Sequence, residues 1–107
     1  MRKKETISYF GITNGRKKVR FGIKEGDRLF HLYVIGKTGT GKSTLLETLA
    51  QQDFQHGHGV CLIDPHGDLI NAILDFVPEE RIKDVILIDP SDLDWPVSFN
   101  PLKNVSP

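Results

Sequence analysis

Phe30-His31-Leu32-Tyr33-Val34-Ile35-Gly36-Lys37-Thr38-Gly39-Thr40-Gly41-Lys42-Ser43-Thr44-Leu45-Leu46 is the stretch from which the rest of the chain is placed. Its opening residues are apolar, aromatic and β-branched and predict a buried strand. Gly36 to Ser43 fits G-x-x-x-x-G-K-S/T at every fixed position. Ser43 to Gln52 predicts a helix. Strand, glycine loop and helix in that order form a phosphate-binding loop, and a chance Gly/Thr-rich turn would lack these flanks.

The chemistry follows from the backbone. The first turn of a helix has N–H groups without intrahelical partners, and the helix dipole adds roughly half a positive charge there. Gly36, Gly39 and Gly41 let the chain approach a polyphosphate with no Cβ in the way. Gly36, Lys37, Thr38, Gly39, Thr40, Gly41, Lys42, Ser43 and Thr44 are therefore the candidate nucleotide-binding residues. Lys42 is expected on the β- and γ-phosphates, where it also meets transition-state charge, and the Ser43 hydroxyl on Mg²⁺. ATP and Mg²⁺ are the expected ligands.

The chain has 107 residues, the size of one small domain. Lys plus Arg and Asp plus Glu are equal at 14 each, which argues against a whole-chain electrostatic nucleic-acid binder. Arg2, Lys3, Lys4, Arg16, Lys17, Lys18 and Arg20 make the N-terminus locally basic; such runs read as a solvated face, with DNA contact as the alternative. The single cysteine, Cys61, lies in an apolar run and reads as a buried core thiol. No signal peptide and no apolar segment of about 20 residues occurs. A cytoplasmic location is expected, with an anchor outside this stretch left open.

Thr6 to Ile12 and Lys18 to Ile23 read as two strands joined at Asn14-Gly15, the preferred pair for a tight hairpin turn. Val19, Phe21 and Ile23 alternate with Lys18, Arg20 and Lys24, predicting one buried and one wet face. In the helix after the loop, Leu45, Leu46, Leu49, Ala50 and Phe54 form the apolar stripe, and Glu47, Gln51 and Gln52 the exposed face. Gly57 and Gly59 are expected to end that helix. Gly59 to Asp64 reads as a second buried strand and Leu69 to Val77 as a short helix with Asp68 as N-cap. Pro78 ends it and starts one more turn through Ile82, and Asp84 to Asp89 is a third buried strand.

The fold class is therefore α/β: a partial P-loop NTPase parallel sheet with flanking helices, preceded by a β-hairpin. The boundaries are 1–26 for the hairpin, 27–90 for the N-terminal part of the nucleotide-binding domain, and 91–107 for a Pro-rich tail or the start of an insertion. The chain reads as the N-terminal part of something longer.

An ATPase also needs an acidic residue at a strand end to hold the Mg²⁺ water shell, commonly followed by a Glu that activates water. Asp64 and Asp89 both end apolar runs, but Pro65 and Pro90 follow them, so neither supplies that Glu. Asp64 remains a candidate magnesium-side carboxylate; the plainer reading of both is an Asp-Pro turn. His66 sits at a strand's C-terminal end, where α/β ligands bind, or is an ordinary turn histidine. His56 and His58 have no third ligand nearby, and Trp95 is a packing anchor or an interface residue.

The run from Asp27-Arg28 through His31 and Val34 to Leu46 resembles the HerA/FtsK superfamily of DNA-pumping ATPases. Gly59 to Leu69, with its Asp64-Pro65-His66-Gly67-Asp68 turn, looks like that superfamily's second-strand motif. Asp84 to Pro90 followed by Phe99-Asn100-Pro101-Leu102 is similar to type IV secretion and conjugative-transfer coupling ATPases. The resemblance spans residues 18–102. It implies a RecA-like fold, ATP-driven movement of DNA, and a hexameric ring. It also implies that the acid-plus-glutamate strand, the sensor residue and the arginine finger lie further along, with no counterpart here. Later strands of such a sheet would sit between the P-loop strand and the second strand, leaving a gap. The alternatives are a small P-loop kinase or a GTPase-like enzyme, although no Asn-Lys-x-Asp run occurs, or a truncated nucleotide-binding module without turnover.

Overall fold

A computed structural model describes residues 5–96 of the chain. Arg2, Lys3, Lys4, the Phe99-Asn100-Pro101-Leu102 motif and most of the expected 91–107 tail lie outside the described residues. The first element is the expected hairpin, β1 (Ile7–Ile12) antiparallel to β2 (Arg20–Lys24). Its connection is longer than the two-residue turn expected at Asn14-Gly15. Thr13 closes it: the Thr13 amide donates to the Val19 carbonyl at 2.9 Å, the Val19 amide to Thr13 Oγ1 at 2.9 Å, and Thr13 Oγ1 to the Lys17 carbonyl at 3.1 Å. The register shifts between Tyr9 and Gly11, so Phe10 is an extra residue, and its ring meets Phe21 edge-on at 5.6 Å. The alternation in β2 is only partly realised, since Val19 and Phe21 stay exposed and Ile23 is half-buried.

One helical turn, α1 (Glu25–Arg28), follows directly. The Phe30 and His31 amides continue it by donating to the Asp27 and Arg28 carbonyls, and His31 ends it with φ 72°. Phe30 and His31 are thus turn residues, not the start of a strand. After the glycine loop comes α2 (Lys42–Gln55), the longest element at 14 residues. It stops as expected at Gly57: the Gly57 amide donates to the Phe54 carbonyl and the His58 amide to the Asp53 carbonyl, both orphan carbonyls of the last turn. The short α3 (Asp68–Leu74) packs on α2, and a 3-10 turn (Glu79–Asp84) follows Pro78.

The hairpin is tied to α2 by polar groups. Gln52, expected on the exposed face, reaches β1: the Tyr9 amide donates to Gln52 Oε1 at 2.7 Å and Gln52 Nε2 to the Tyr9 carbonyl at 2.6 Å. One side-chain amide therefore satisfies both backbone groups that Tyr9 presents. Beside it Arg28 clasps Asp53 with both terminal guanidinium nitrogens, Nη2 to Oδ2 at 2.7 Å, and Arg28 Nη1 also donates to Ser8 Oγ at 3.1 Å. His58 completes the cluster, 3.4 Å from Asp53 Oδ1 and 3.6 Å from Glu25 Oε1. Burial of Asp53 opposes its ionisation, but the Arg28 guanidinium and His58 more than offset this, and its carboxyl is held below the usual carboxylate range.

The apolar core is small. Leu49, Ala50 and Ile73 are buried, with Ser8 and Asp53 as buried polar partners. The expected parallel sheet is not formed among the described residues. Segments 32–36, 59–64 and 85–89 run without backbone hydrogen bonds to one another, and the one sheet among the described residues is the hairpin. The reason is physical: an extended segment becomes a strand only where a neighbour accepts its amides, and each of these lacks one. With no sheet neighbour to cover them many of their side chains face solvent, with Tyr33 86%, Ile63 91% and Ile86 85% exposed, while Val34, Val60 and Leu62 are half-buried. Cys61, expected in the core, is likewise exposed. An open cleft of about 360 Å³ is lined by Leu32, Leu46, Leu49, Ala50, Val60 and Leu62.

Two outcomes follow from the tether. Asp53→Asn is expected to lower unfolding stability by about 1–3 kcal/mol, because the half-buried Arg28 loses its charged partner. With a depressed carboxyl, the Asp53 contribution is present above the unfolded-state value, about 3.9, and is lost as pH falls through the lower folded-state value. Urea titrations across that acid range should show a shallower decline for the variant than for the parent chain. Gln52→Leu should accelerate hydrogen exchange of the Tyr9 amide without comparably affecting the amides of Leu49 and Ala50.

Candidate functional site

The loop expected to hold phosphate curls over its own carbonyl. The Thr40 amide donates to the Lys37 carbonyl at 3.3 Å, Thr40 Oγ1 at 2.6 Å and Lys42 Nζ at 2.8 Å. One oxygen thus gathers the loop and holds the Lys42 ammonium over it. Gly39 has φ 80° and Gly41 φ 93°, a region that L side chains rarely adopt. At Gly36 the restriction is one of space, since a Cβ there would come within 2.5 Å of Thr40 Oγ1.

Gly41 is the N-cap of α2 and carries no side chain to cap it; no acidic residue stands in the first turn. The Leu45 amide is the first to bond back, to the Gly41 carbonyl at 3.0 Å. The amides of Lys42, Ser43 and Thr44 therefore precede the helical ladder, at the positive end of a 14-residue helix. Ser43 and Thr44 are exposed. Such an end accepts anions. The residues fit a nucleotide polyphosphate: uncapped amides, an adjacent ammonium, and a curl of backbone that a Cβ at Gly36 would obstruct. They also offer a metal one ligand, the accessible Ser43 hydroxyl.

Asp64 has a structural task. Its Oδ1 accepts the His66 amide at 3.1 Å and its Oδ2 the Leu69 amide at 2.8 Å. The carboxylate thereby caps α3 in place of Asp68, which lies inside the first turn, the N-cap position being Gly67. The hydrogen bond from the His66 amide, with those from Leu69, Ile70 and Gly67, holds the Asp64 carboxyl below its ordinary value. Asp89 behaves alike, accepting the Ser91 hydroxyl at 2.6 Å and the Ser91 amide at 2.9 Å. The His66 side chain is exposed, and Trp95 stands 80% exposed. Among the described residues no three His, Cys, Asp or Glu side chains converge as a metal site. No residue of 36–44 lines the open cleft, so cleft and loop are separate features.

The residues that position α2, and with it the loop, are Arg28, Gln52, Asp53 and His58. Sequence reasoning gave none of them this role: Gln52 was expected on the exposed face, Arg28 entered only with the family resemblance, His58 only as a histidine without a third ligand, and Asp53 went unremarked. The signal present was Asp53 itself, a carboxylate placed where the apolar stripe of Leu45, Leu49 and Ala50 continues toward Phe54.

Residues 13–103 of the chain match the family described as the central domain of the helicase HerA. None of the curated proteins and none of the solved structures matches the chain.

Removing the Asp64 carboxylate should act on α3 before anything else. In Asp64→Ala, hydrogen exchange at the His66 and Leu69 amides is expected to quicken and the far-ultraviolet helical signal to fall slightly. Asp64→Asn, which keeps one acceptor oxygen, should recover part of the protection.

Proposed function

The chain belongs to the HerA helicase central-domain family, and on that premise we propose that it is the ATP-binding part of a DNA-translocating ATPase. The observation that carries this reading is the uncapped start of α2 behind Gly41, with Lys42 Nζ 2.8 Å from the Lys37 carbonyl and no acid in the first turn. In this reading the amides of Lys42 and Ser43, which precede the helical ladder, meet the β- and γ-phosphates, and the Thr44 amide faces the α-phosphate. Lys42 moves from the Lys37 carbonyl to the phosphate oxygens, where it also opposes the charge that grows on them during transfer. Ser43 is the residue that would hold Mg²⁺, whose contribution is to neutralise charge across the β- and γ-oxygens. The Asp64-Pro65-His66-Gly67-Asp68 turn and the Phe99-Asn100-Pro101-Leu102 motif support a coupling ATPase of type IV secretion or conjugative DNA transfer, working as a hexameric ring. The open cleft beside Leu32 and Val60 is where further strands of the sheet would enter.

A second reading concerns turnover by these residues alone. Asp64 and Asp89 are both engaged in turns and both precede proline, so neither supports a water-activating glutamate. That favours binding without appreciable hydrolysis in this stretch.

Calorimetry with ATP and Mg²⁺ separates the possibilities. Lys42→Ala should weaken binding by about ten- to a hundredfold, the worth of a charge-assisted contact of roughly 1.5–3 kcal/mol. Equal affinity in parent and variant would refute the nucleotide assignment. Phosphate release stimulated by DNA favours a complete motor; binding with no release supports the non-catalytic reading; phosphorylation of an acceptor points to a kinase.

A further inference from the structure

The chain is neutral as a whole but strongly divided. Residues 1–24 hold eight of the 14 basic residues and one of the 14 acidic ones. The other six basic and 13 acidic residues follow. Such asymmetry is a mark of a segment that meets a polyanion. Within the described residues the surplus concentrates at the tip of the hairpin. Arg16, Lys17, Lys18 and Arg20 are all exposed, and none lies within 4.0 Å of a carboxylate among the described residues. At the stem, by contrast, Lys24 is paired with Glu5 at 3.1 Å. The cations at the tip thus lie apart from the acids of the molecule.

The tip is also held in shape. Thr13 spends its amide and its hydroxyl on Val19 and Lys17, so Arg16, Lys17 and Lys18 project from a loop closed by three hydrogen bonds. Arg20 lies with its guanidinium carbon 4.7 Å from the centre of the Tyr9 ring, which orients it on the same hairpin. No residue of the tip contributes to the buried core. Three consecutive like charges repel one another in solution, and neutralisation by phosphates relieves that repulsion while releasing counterions.

We propose that loop 13–19, with Arg20, is a contact for the sugar-phosphate backbone of nucleic acid, bound without regard to base sequence. The surface stands on its own charges; the choice of nucleic acid over an anionic bilayer rests on the reading of the chain as part of a DNA-translocating ATPase. The contact lies on the hairpin and is distinct from the nucleotide loop.

The test uses the whole chain and a fluorescein-labelled oligonucleotide of mixed sequence, single-stranded and duplex, titrated by anisotropy at several salt concentrations. The triple variant Arg16→Ala, Lys17→Ala, Lys18→Ala should bind about tenfold more weakly or worse, with a plot of log affinity against log salt shallower by about three. Lys83→Ala, an exposed charge elsewhere, should leave both unchanged. Circular dichroism of each protein confirms the fold, and ATP binding on the same samples should not respond to the triple change. Equal affinity and slope in parent and triple variant overturn the proposal, as does a folded parent chain that binds no oligonucleotide. Charge-dependent binding to phosphatidylserine-containing vesicles without oligonucleotide binding overturns it in favour of a membrane. Loss of ATP binding in Lys42→Ala with the oligonucleotide response intact keeps the two sites independent. Oligonucleotide binding by a chain that never binds ATP sustains this proposal and removes the nucleotide reading.

Discussion

The clasp of Arg28 on Asp53 holds the two halves of this structure together. Arg28 ends the helical turn that follows the hairpin, and Asp53 sits in the last turn of α2. Two parallel hydrogen bonds between planar groups fix direction as well as distance. Together with the Gln52 amide on Tyr9, the clasp sets the angle at which α2 leaves the hairpin. Among the described residues the buried apolar side chains are too few to impose that orientation alone: Leu49, Ala50 and Ile73. At roughly 1.5–3 kcal/mol for burial of a large apolar side chain, the polar contacts are comparable in weight to the core. Orientation of α2 matters because its N-terminus carries the uncapped amides on which the proposed nucleotide site rests.

The glycine loop was legible because its requirements are local. Uncapped amides, positive φ at Gly39 and Gly41, and a lysine one residue into the helix all follow from a run of eight residues. The C-terminal stop at Gly57 was legible for the same reason. The sheet was not, because a strand is a relation between segments. The apolar runs ending in Asp64 and Asp89 carry the composition of buried strands, yet each stays extended and solvated where no partner is hydrogen-bonded to it. Cys61 went with them, from expected core to surface. Gln52 and Asp53 were misplaced or unremarked because helical periodicity ranks residues by hydrophobicity and has no means of seeing a hairpin packed against one face.

The family match and the geometry answer different questions. The match over 13–103 supplies kinship. The geometry shows which groups point where: Ser43 and Thr44 at an open helix end, Asp64 folded into the cap of α3, Asp89 folded into a turn. Two carboxylates that look alike in sequence as strand-end acids thus serve the backbone around them. A carboxylate already accepting amide hydrogens is a poorer base than a free one, since those bonds favour its ionised form.

The grip of Lys42 on the Lys37 carbonyl bears on which anions the proposed site would take. A ligand that reaches Nζ must take it from an oxygen that already bonds it, so only the surplus over that contact appears as affinity. A monovalent anion offers little surplus. A polyphosphate brings several charged oxygens at once and meets the helix amides in the same event. On the proposed nucleotide reading, the self-contact would act as a threshold that sets aside chloride and single phosphate groups, and would reward length of the phosphate chain.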